Sequence, residues 1–321
     1  MNIYLAAPRD ERAALLAAIT ACLNILLASI VMIAATIGGL NLGLMLAPAA
    51  YTAMWMAGLS IVWWRHRRAG MERRFSTSAA FILVMFTAGA FGRLICLVGQ
   101  TFTMPLIDSQ LQGIDVALGL QTLPIILGVV SIPMLPDLLW FPYNFGVPII
   151  ILSALFFIWT GRGERAWEMC FVFNFCLLIT TTSSIFIPAA GPFHYEQYPE
   201  SLLARLPPGS GTYAIDLLFA LRKAHSYTID PTGLFGVACF PSFHTMMALV
   251  AAAAWRGIPR IGPAMLVWQG VAIFATIPIG GHYLIDLVGG LVCWALVQTL
   301  WQWLMSATQS GQDQQVIQSL A

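Results

Sequence analysis

His282 and Asp286 stand four residues apart in the segment GGHYLID, residues 280–286. Residues four apart lie on one face of a helix. A carboxylate beside an imidazole fixes the tautomer of the ring and raises its basicity, and such a histidine can act as a nucleophile. Gly281 lets the backbone come close to an anion. A His–Asp pair at a helix end can also be purely structural, and that alternative stays open.

A second histidine, His244, ends the segment CFPSFH, residues 239–244. Proline suits the first turn of a helix. The free N–H groups of that turn, including Phe243, together with the Ser242 hydroxyl predict an anion site. The alternative is an ordinary helix start that carries a histidine by chance.

The two histidines are 38 residues apart, and two apolar runs joined by one turn separate them. Helices joined in this way run antiparallel, so both histidines return to the same end of the bundle. One could attack phosphorus while the other protonates the leaving oxygen. A zinc hydrolase that uses His244, His282 and Asp286 is an alternative, and so is a transporter or channel without catalysis.

Composition places these residues in a membrane protein. The chain is 59% hydrophobic and 9% charged, with a mean hydropathy of +0.80, whereas soluble domains carry about 25% charged residues. Net charge is only +1, so nothing indicates a nucleic-acid partner. Six cysteines without a CxxC pair argue against a metal cluster or a disulfide framework.

Apolar runs predict an all-α bundle of about eight transmembrane helices. The predicted spans are 13–37, 43–64, 79–101, 137–160, 165–188, 241–256, 262–279 and 283–305. The first run is too long for a signal peptide and is interpreted as a retained helix.

The basic residues predict the orientation, because cytoplasmic loops are rich in Lys and Arg. With both ends inside, 11 of the 15 basic residues lie on the inner side. The outer side holds three, namely Arg205, Arg222 and Lys223. Four of the five histidines also fall on the outer side, namely His194, His225, His244 and His282.

Three regions are predicted along the chain. Residues 1–103 form an N-terminal unit of three spans, 104–308 form the core that carries both histidine segments, and 309–321 form a polar tail. Within the core, the moderately apolar stretch 104–136 could lie along the membrane surface as an interfacial helix.

PSFH followed by GGHYLID resembles the motifs of the type-2 phosphatidic acid phosphatase superfamily. The Phe of PSFH and the HYLID form are more similar to its inositol phosphorylceramide synthase branch. The resemblance implies that His282 is a nucleophile that forms a phosphohistidine, that Asp286 orients it, and that His244 exchanges protons with the leaving and entering oxygens. It also implies no metal and no other cofactor.

This sequence departs from that family at its basic motifs. No Arg-Pro dipeptide occurs, and Ala275 and Thr276 stand where the family has Ser-Arg. Arg222 and Lys223 are therefore the candidates for binding the phosphate, because Arg presents a planar fork of donors. His194 and Tyr195, which follow the end of a span, are candidates for lining the site. Ordinary loop positions are the alternative for all four residues.

The expected protein is thus an integral membrane lipid phosphatase or phosphotransferase, with a lipid phosphate or phospholipid as substrate. Its active site is expected on the non-cytoplasmic side of the plasma (inner) membrane. Transfer of a polyol-phosphate headgroup such as inositol phosphate is one form of the reaction. The lipid, the acceptor and the oligomeric state are left open by the sequence.

Overall fold

The computed structural model describes residues 9–44, 58, 73–229 and 236–320, and it is mostly helical. The long helices are α1 (Arg9–Ile37), α2 (Arg73–Gly99), α7 (Gly163–Phe186) and α13 (Leu284–Leu320). The intermediate ones are α3 (Asp108–Ala117), α4 (Thr122–Ser131), α5 (Leu135–Asn144), α6 (Gly146–Trp159), α10 (Ile215–Lys223), α11 (Phe243–Ala254) and α12 (Ile261–Ala275). Single turns form α8 (Pro192–Tyr195) and α9 (Glu200–Leu203), and a 3₁₀ turn, Gln100–Phe102, extends α2.

Four segments are long and apolar enough to cross a bilayer, which takes about 20 residues. They are Asp10–Ile37, Arg73–Phe102, Gly163–Phe186 and Leu284–Ser306. Each coincides with a run that the sequence predicted as a span. Several apolar helices of this kind fit an integral membrane protein.

Two helix pairs are bent and add at most one span each. The axes of α3 and α4 meet at 78°, and those of α5 and α6 meet at 48°. Gly119, with φ +69°, follows the end of α3. Pro148 lies in the first turn of α6; it has no N–H, and its ring opposes the carbonyl four residues earlier, at Asn144, where α5 ends.

The structure therefore supports four to six spans among the described residues, where the apolar runs predicted eight. Helices α11 and α12 have only 12 and 15 residues, and the predicted span 43–64 lies almost entirely outside the described residues. The stretch 104–136, predicted to contain an interfacial helix, forms the bent pair α3–α4, whose shape fits a broken span or a re-entrant loop.

One apolar core includes helices of the predicted N-terminal unit, 1–103, and of the predicted core region, 104–308. Helices α1, α2 and α7 pack on one another, and α7 also packs on α6, α11 and α13. Phe81 of α2, Phe157 of α6, Met246 of α11 and Trp301 of α13 belong to the same buried cluster. The N-terminal helices therefore join the rest of the bundle mainly through α7, and α2 also packs on α6 and α10.

A short parallel pairing of strands β1 (Asn41–Leu44) and β2 (Ser226–Ile229) links the chain after α1 to the segment after α10. Its register aligns Asn41 with Ser226 and Leu44 with Ile229. Nothing in the local sequence pattern predicted it.

Charged side chains gather at the end of the bundle opposite the two histidines, which we call the arginine end. Arg165 donates to the carbonyls of Ala254 and Arg256, and Arg256 contacts Glu168 at 3.0 Å. Gln298 of α13 also donates to Glu168, at 2.6 Å. These contacts join the α6–α7 and α11–α12 turns at one end, so the start of α11 and the start of α13 lie together at the other.

Candidate active site

The GGHYLID segment forms a buried histidine–aspartate pair where α13 begins. Nδ1 of His282 lies 3.1 Å from Oδ2 of Asp286, and the two residues are 5% and 0% exposed. An ionised carboxylate only accepts hydrogen bonds, so Nδ1 donates, and Nε2 of the neutral ring keeps its lone pair. The pair therefore presents an imidazole whose second nitrogen is available for attack.

Two further donors hold the Asp286 carboxylate. The backbone N–H of Tyr283 and the thiol of Cys239 donate to Oδ2 at 3.0 Å and 3.1 Å. Burial, and then the charge of Asp286, raises the pKa of the Cys239 thiol well above its ordinary value, so it stays a neutral donor. The other oxygen, Oδ1, is buried and has no hydrogen-bond partner within the described part of the chain.

His244 faces this pair from the first turn of α11. Its ring stacks on Tyr143, with centroids 4.2 Å apart and planes at 21°, and its centroid lies 6.4 Å from that of His282. In a phosphoryl transfer the nucleophile is in reach of phosphorus, and the proton donor is in reach of the leaving oxygen. The nucleophilic atom and the donor atom then lie about 6 to 7 Å apart. The ring centroids are close enough for both imidazoles to approach the same phosphoryl group.

Ser242 organises the start of α11. Its hydroxyl accepts a hydrogen bond from the N–H of Thr245 at 3.3 Å, as an N-cap does, and its own N–H donates to the Asp286 carbonyl at 3.0 Å. The residue is 0% exposed. The Ser242 hydroxyl, predicted to bind phosphate, accepts both of its hydrogen bonds from Thr245 and keeps its O–H as a donor, and the Phe243 side chain packs edge-on against Phe173.

Two adjacent glycines let α13 approach the CFPSFH segment closely. A β-carbon on Gly290 would lie 2.7 Å from the Ser242 carbonyl oxygen, and one on Gly289 would lie 2.8 Å from the Phe240 ring. No larger residue leaves room for this contact. The approach holds His244 beside the His282–Asp286 pair.

Two buried aspartates of α3 position the GGHYLID segment from outside it. Asp115 accepts from the backbone N–H groups of Leu284 and Ile285 at 2.7 and 2.9 Å, and so caps α13. Asp108 accepts from the Tyr283 hydroxyl at 3.0 Å and from two N–H groups at residues 190 and 191. Sequence reasoning missed both aspartates. Their spacing of seven, which places two carboxylates on one face of an apolar helix, was the available signal.

The loops before α8, α10 and α13 contact one another. Each contributes one glycine to the contact, namely Gly191, Gly211 and Gly281. Gly281 has φ +71°, and a β-carbon there would lie 2.6 Å from the Gly211 backbone; one on Gly191, with φ +94°, would lie 2.7 Å from the Gly281 carbonyl oxygen. We call this contact the glycine junction. At Gly281, predicted to let the backbone approach an anion, the missing β-carbon leaves room for another loop.

A narrow cavity of about 40 Å³ opens beside His282. Its walls come from the glycine junction, the start of α10 and the segment before α11, and include Tyr213, Leu218 and Cys239. His244 lines a separate, smaller space with Tyr143. Catalysis on a phosphorylated group would require these two spaces to join.

Arg222 and Lys223, the predicted phosphate ligands, lie at the far end of α10. They line a cavity of about 480 Å³ with His225, the end of α1 and the residues after α2, and it shares no lining residue with the cavity beside His282. Leu218, the last residue of α10 that lines the cavity beside His282, precedes Arg222 by four positions, a rise of about 6 Å. One Arg222 nitrogen donates to the Met104 carbonyl at 2.7 Å, and Nη1 is buried without a partner within the described ranges.

His194 and Tyr195 have exposed side chains on α8, and neither lines the cavity beside His282. His194 packs against Phe219 of α10, with ring centroids 4.7 Å apart. The buried residues of this turn are Pro192 and Phe193, and Phe193 packs against Gly211. The loop thus approaches the site through its backbone rather than through the two side chains that the sequence suggested.

The comparison with known families bears on the buried pair and its facing histidine. The PAP2 superfamily matches residues 109–300, more than half of the chain. The chain belongs to the PAP2 superfamily. Membership indicates a phosphatase-type enzyme and confirms the broader resemblance seen in the PSFH and GGHYLID segments. No curated protein and no solved structure matches the chain.

The PAP2 region contains nearly all of the site. It begins one residue after Asp108 and includes Asp115, His244, His282 and Asp286. Helices α1 and α2 lie before it. A PAP2 phosphatase acts on a lipid phosphate in a membrane, which agrees with apolar helices around a buried polar site.

Proposed function

We propose that this PAP2 protein is a lipid phosphatase or phosphotransferase that works through a phosphohistidine on His282. The observation that carries the proposal is the buried pair of His282 and Asp286, joined at 3.1 Å, with the His244 ring 6.4 Å away. A nucleophile held in one tautomer, with a second imidazole across a phosphoryl-sized gap, is what a two-step displacement requires.

In the first step, Nε2 of His282 attacks phosphorus, and the bond from phosphorus to the leaving oxygen breaks. Burial, and then His282, lowers the pKa of His244 to about 3, so the negative charge of the bound phosphate must stabilise the proton that His244 gives to that oxygen. Asp286 stabilises the positive charge that develops on the His282 ring. In the second step, neutral His244 takes the proton of an incoming hydroxyl, whose oxygen attacks phosphorus, and the bond to Nε2 breaks.

The incoming hydroxyl distinguishes hydrolysis from transfer. Water gives a phosphatase, and an alcohol of a lipid gives a transferase. The HYLID form of the last motif favours transfer of a polyol-phosphate headgroup such as inositol phosphate, as in the inositol phosphorylceramide synthase branch. The charge asymmetry of the loops supports a site on the non-cytoplasmic side, and the plasma (inner) membrane is the proposed location.

Arg222 and Lys223 are proposed to bind an anionic part of the substrate. Their distance from His282 along α10 favours a group beyond the reacting phosphate. His194 and Tyr195 are exposed near the same loops and are proposed to contact the headgroup as it enters.

The test is to trap labelled phosphate on the purified protein and to map the labelled peptide. We expect label on His282 in the wild type and no label in His282→Ala with any substrate. Asp286→Asn should fold but turn over slowly, because the amide cannot stabilise the imidazolium. Label on His244, retained in His282→Ala, would reverse the two roles.

A further inference from the structure

Three different metal-ligating atoms converge beside the proposed nucleophile. Sγ of Cys239 lies 3.1 Å from Oδ2 of Asp286 and 3.9 Å from Nδ1 of His282, and the last two atoms are 3.1 Å apart. Zinc bonds of about 2.0 to 2.3 Å in tetrahedral geometry place ligand atoms roughly 3.3 to 3.6 Å from one another. The three observed separations bracket that range.

This set differs from the zinc site that the sequence alone suggested. His244 is not part of it, because its ring centroid is 6.4 Å from that of His282 and its ring stacks on Tyr143. Cys239 takes its place and contributes a sulfur. Sulfur and imidazole ligands favour zinc and similar ions over magnesium or calcium, which prefer oxygen.

Two more observations point to a ligand at this position. Oδ1 of Asp286 is buried and lacks a hydrogen-bond partner in the described part of the chain, so the carboxylate has an unused acceptor. Cys239 and His282 both line the cavity of about 40 Å³, which can hold a water molecule as a fourth ligand.

We propose that Cys239, His282 and Asp286 bind a zinc ion that inhibits the enzyme. The proposal rests on the role of His282 as the nucleophile in the proposed function. The site would thus have two exclusive states, one with a catalytic histidine–aspartate pair and one with a bound ion.

Proton positions explain why the two states exclude each other. To bind zinc, Cys239 releases its thiol proton to solvent, and Nδ1 of His282 must offer a lone pair. The neutral ring then carries its proton on Nε2. An Nε2 that bears a proton has no lone pair with which to attack phosphorus, so the phosphohistidine cannot form.

The experiment uses the full chain purified in detergent, with a nitrophenyl phosphate substrate and added zinc chloride. We expect zinc to inhibit the wild type and a chelator to reverse the inhibition. Cys239→Ser, compared with its own zinc-free rate, should need about tenfold more zinc or greater for equal inhibition. Cys22→Ser, at an exposed position of α1, is the control and should match the wild type.

A second measurement does not depend on activity. Cobalt(II) should give a near-ultraviolet thiolate-to-metal band with the wild type and with Cys22→Ser, and no such band with Cys239→Ser. Zinc should displace the cobalt.

The outcomes separate this inference from the proposed function. Absence of zinc inhibition, or equal inhibition of Cys239→Ser and the wild type, would overturn the inhibitory site and leave the phosphohistidine mechanism standing. Activity that is lost with a chelator and restored by zinc would overturn both, in favour of a zinc hydrolase.

Discussion

Asp115 offers a sharp test of how the site is positioned, because it lies outside both histidine motifs. Its carboxylate receives the first two backbone N–H groups of α13 at 2.7 and 2.9 Å. In Asp115→Ala both groups lose a buried acceptor. Each unsatisfied group costs about 1 to 3 kcal/mol, which gives roughly 2 to 6 kcal/mol if the helix start does not move.

The helix start can lower this cost by shifting toward another acceptor, and the shift would displace His282. A displacement of about 1 Å at a reacting group reduces the rate roughly 100-fold. We therefore expect Asp115→Ala to lower kcat by about 10- to 100-fold and to change KM little. Asp115→Asn keeps one acceptor oxygen and should fall between Asp115→Ala and the wild type.

The assay compares kcat, KM and thermal unfolding in detergent with those of Asp137→Asn, an exposed aspartate of α5. The kcat of each variant is taken per folded protein. A kcat of Asp115→Ala equal to that of Asp137→Asn, at equal thermal stability, would refute the positioning argument. Loss of activity only in proportion to unfolded protein would reduce Asp115 to a stabilising cap.

Three other predictions concern substrate and topology. His244→Ala should lose far less activity on nitrophenyl phosphate, whose leaving group needs no proton, than on an alkyl phosphate; equal losses would argue against proton donation. Arg222→Ala should raise KM more than it lowers kcat, because Arg222 lies about 6 Å along α10 beyond Leu218, the last residue of that helix in the cavity beside His282, and Arg222→Lys should restore part of the binding; a fall in kcat alone would contradict this. Thr160→Cys and Ala204→Cys, in a Cys22→Ser background, should label from opposite sides of sealed vesicles, and labelling from one side would refute the predicted orientation.

The local spacing of residues in the sequence was sufficient to predict part of the site. Spacing of four placed His282 and Asp286 on one turn, and two apolar runs joined by one turn returned His244 to the same end of the bundle. These inferences depend only on helix geometry and on chain direction. The contacts with Cys239, Asp108 and Asp115 join residues 47, 175 and 169 positions apart, so no local pattern encodes them.

The count of eight spans stays a prediction, because the structure supports four to six among the described residues and the predicted span 43–64 lies almost entirely outside them. Hydropathy reports how apolar a segment is, but not whether its helix stays straight. Pro148 interrupts the run 137–160, and Gly119 ends α3 inside 104–136, so both runs fold as bent pairs. Arg222 likewise has the right chemistry for phosphate, yet the helix that carries it directs it to another cavity.

The glycine junction has a consequence for how this enzyme can change its substrate. Gly191, Gly211 and Gly281 touch backbone to backbone, so a methyl group on any one collides with another loop. New specificity should therefore arise at Ile215 and Leu218, which line the same cavity with side chains that can be exchanged for smaller or larger apolar ones. If all five positions are randomised, active variants should keep glycine at 191, 211 and 281. They should carry varied residues at 215 and 218.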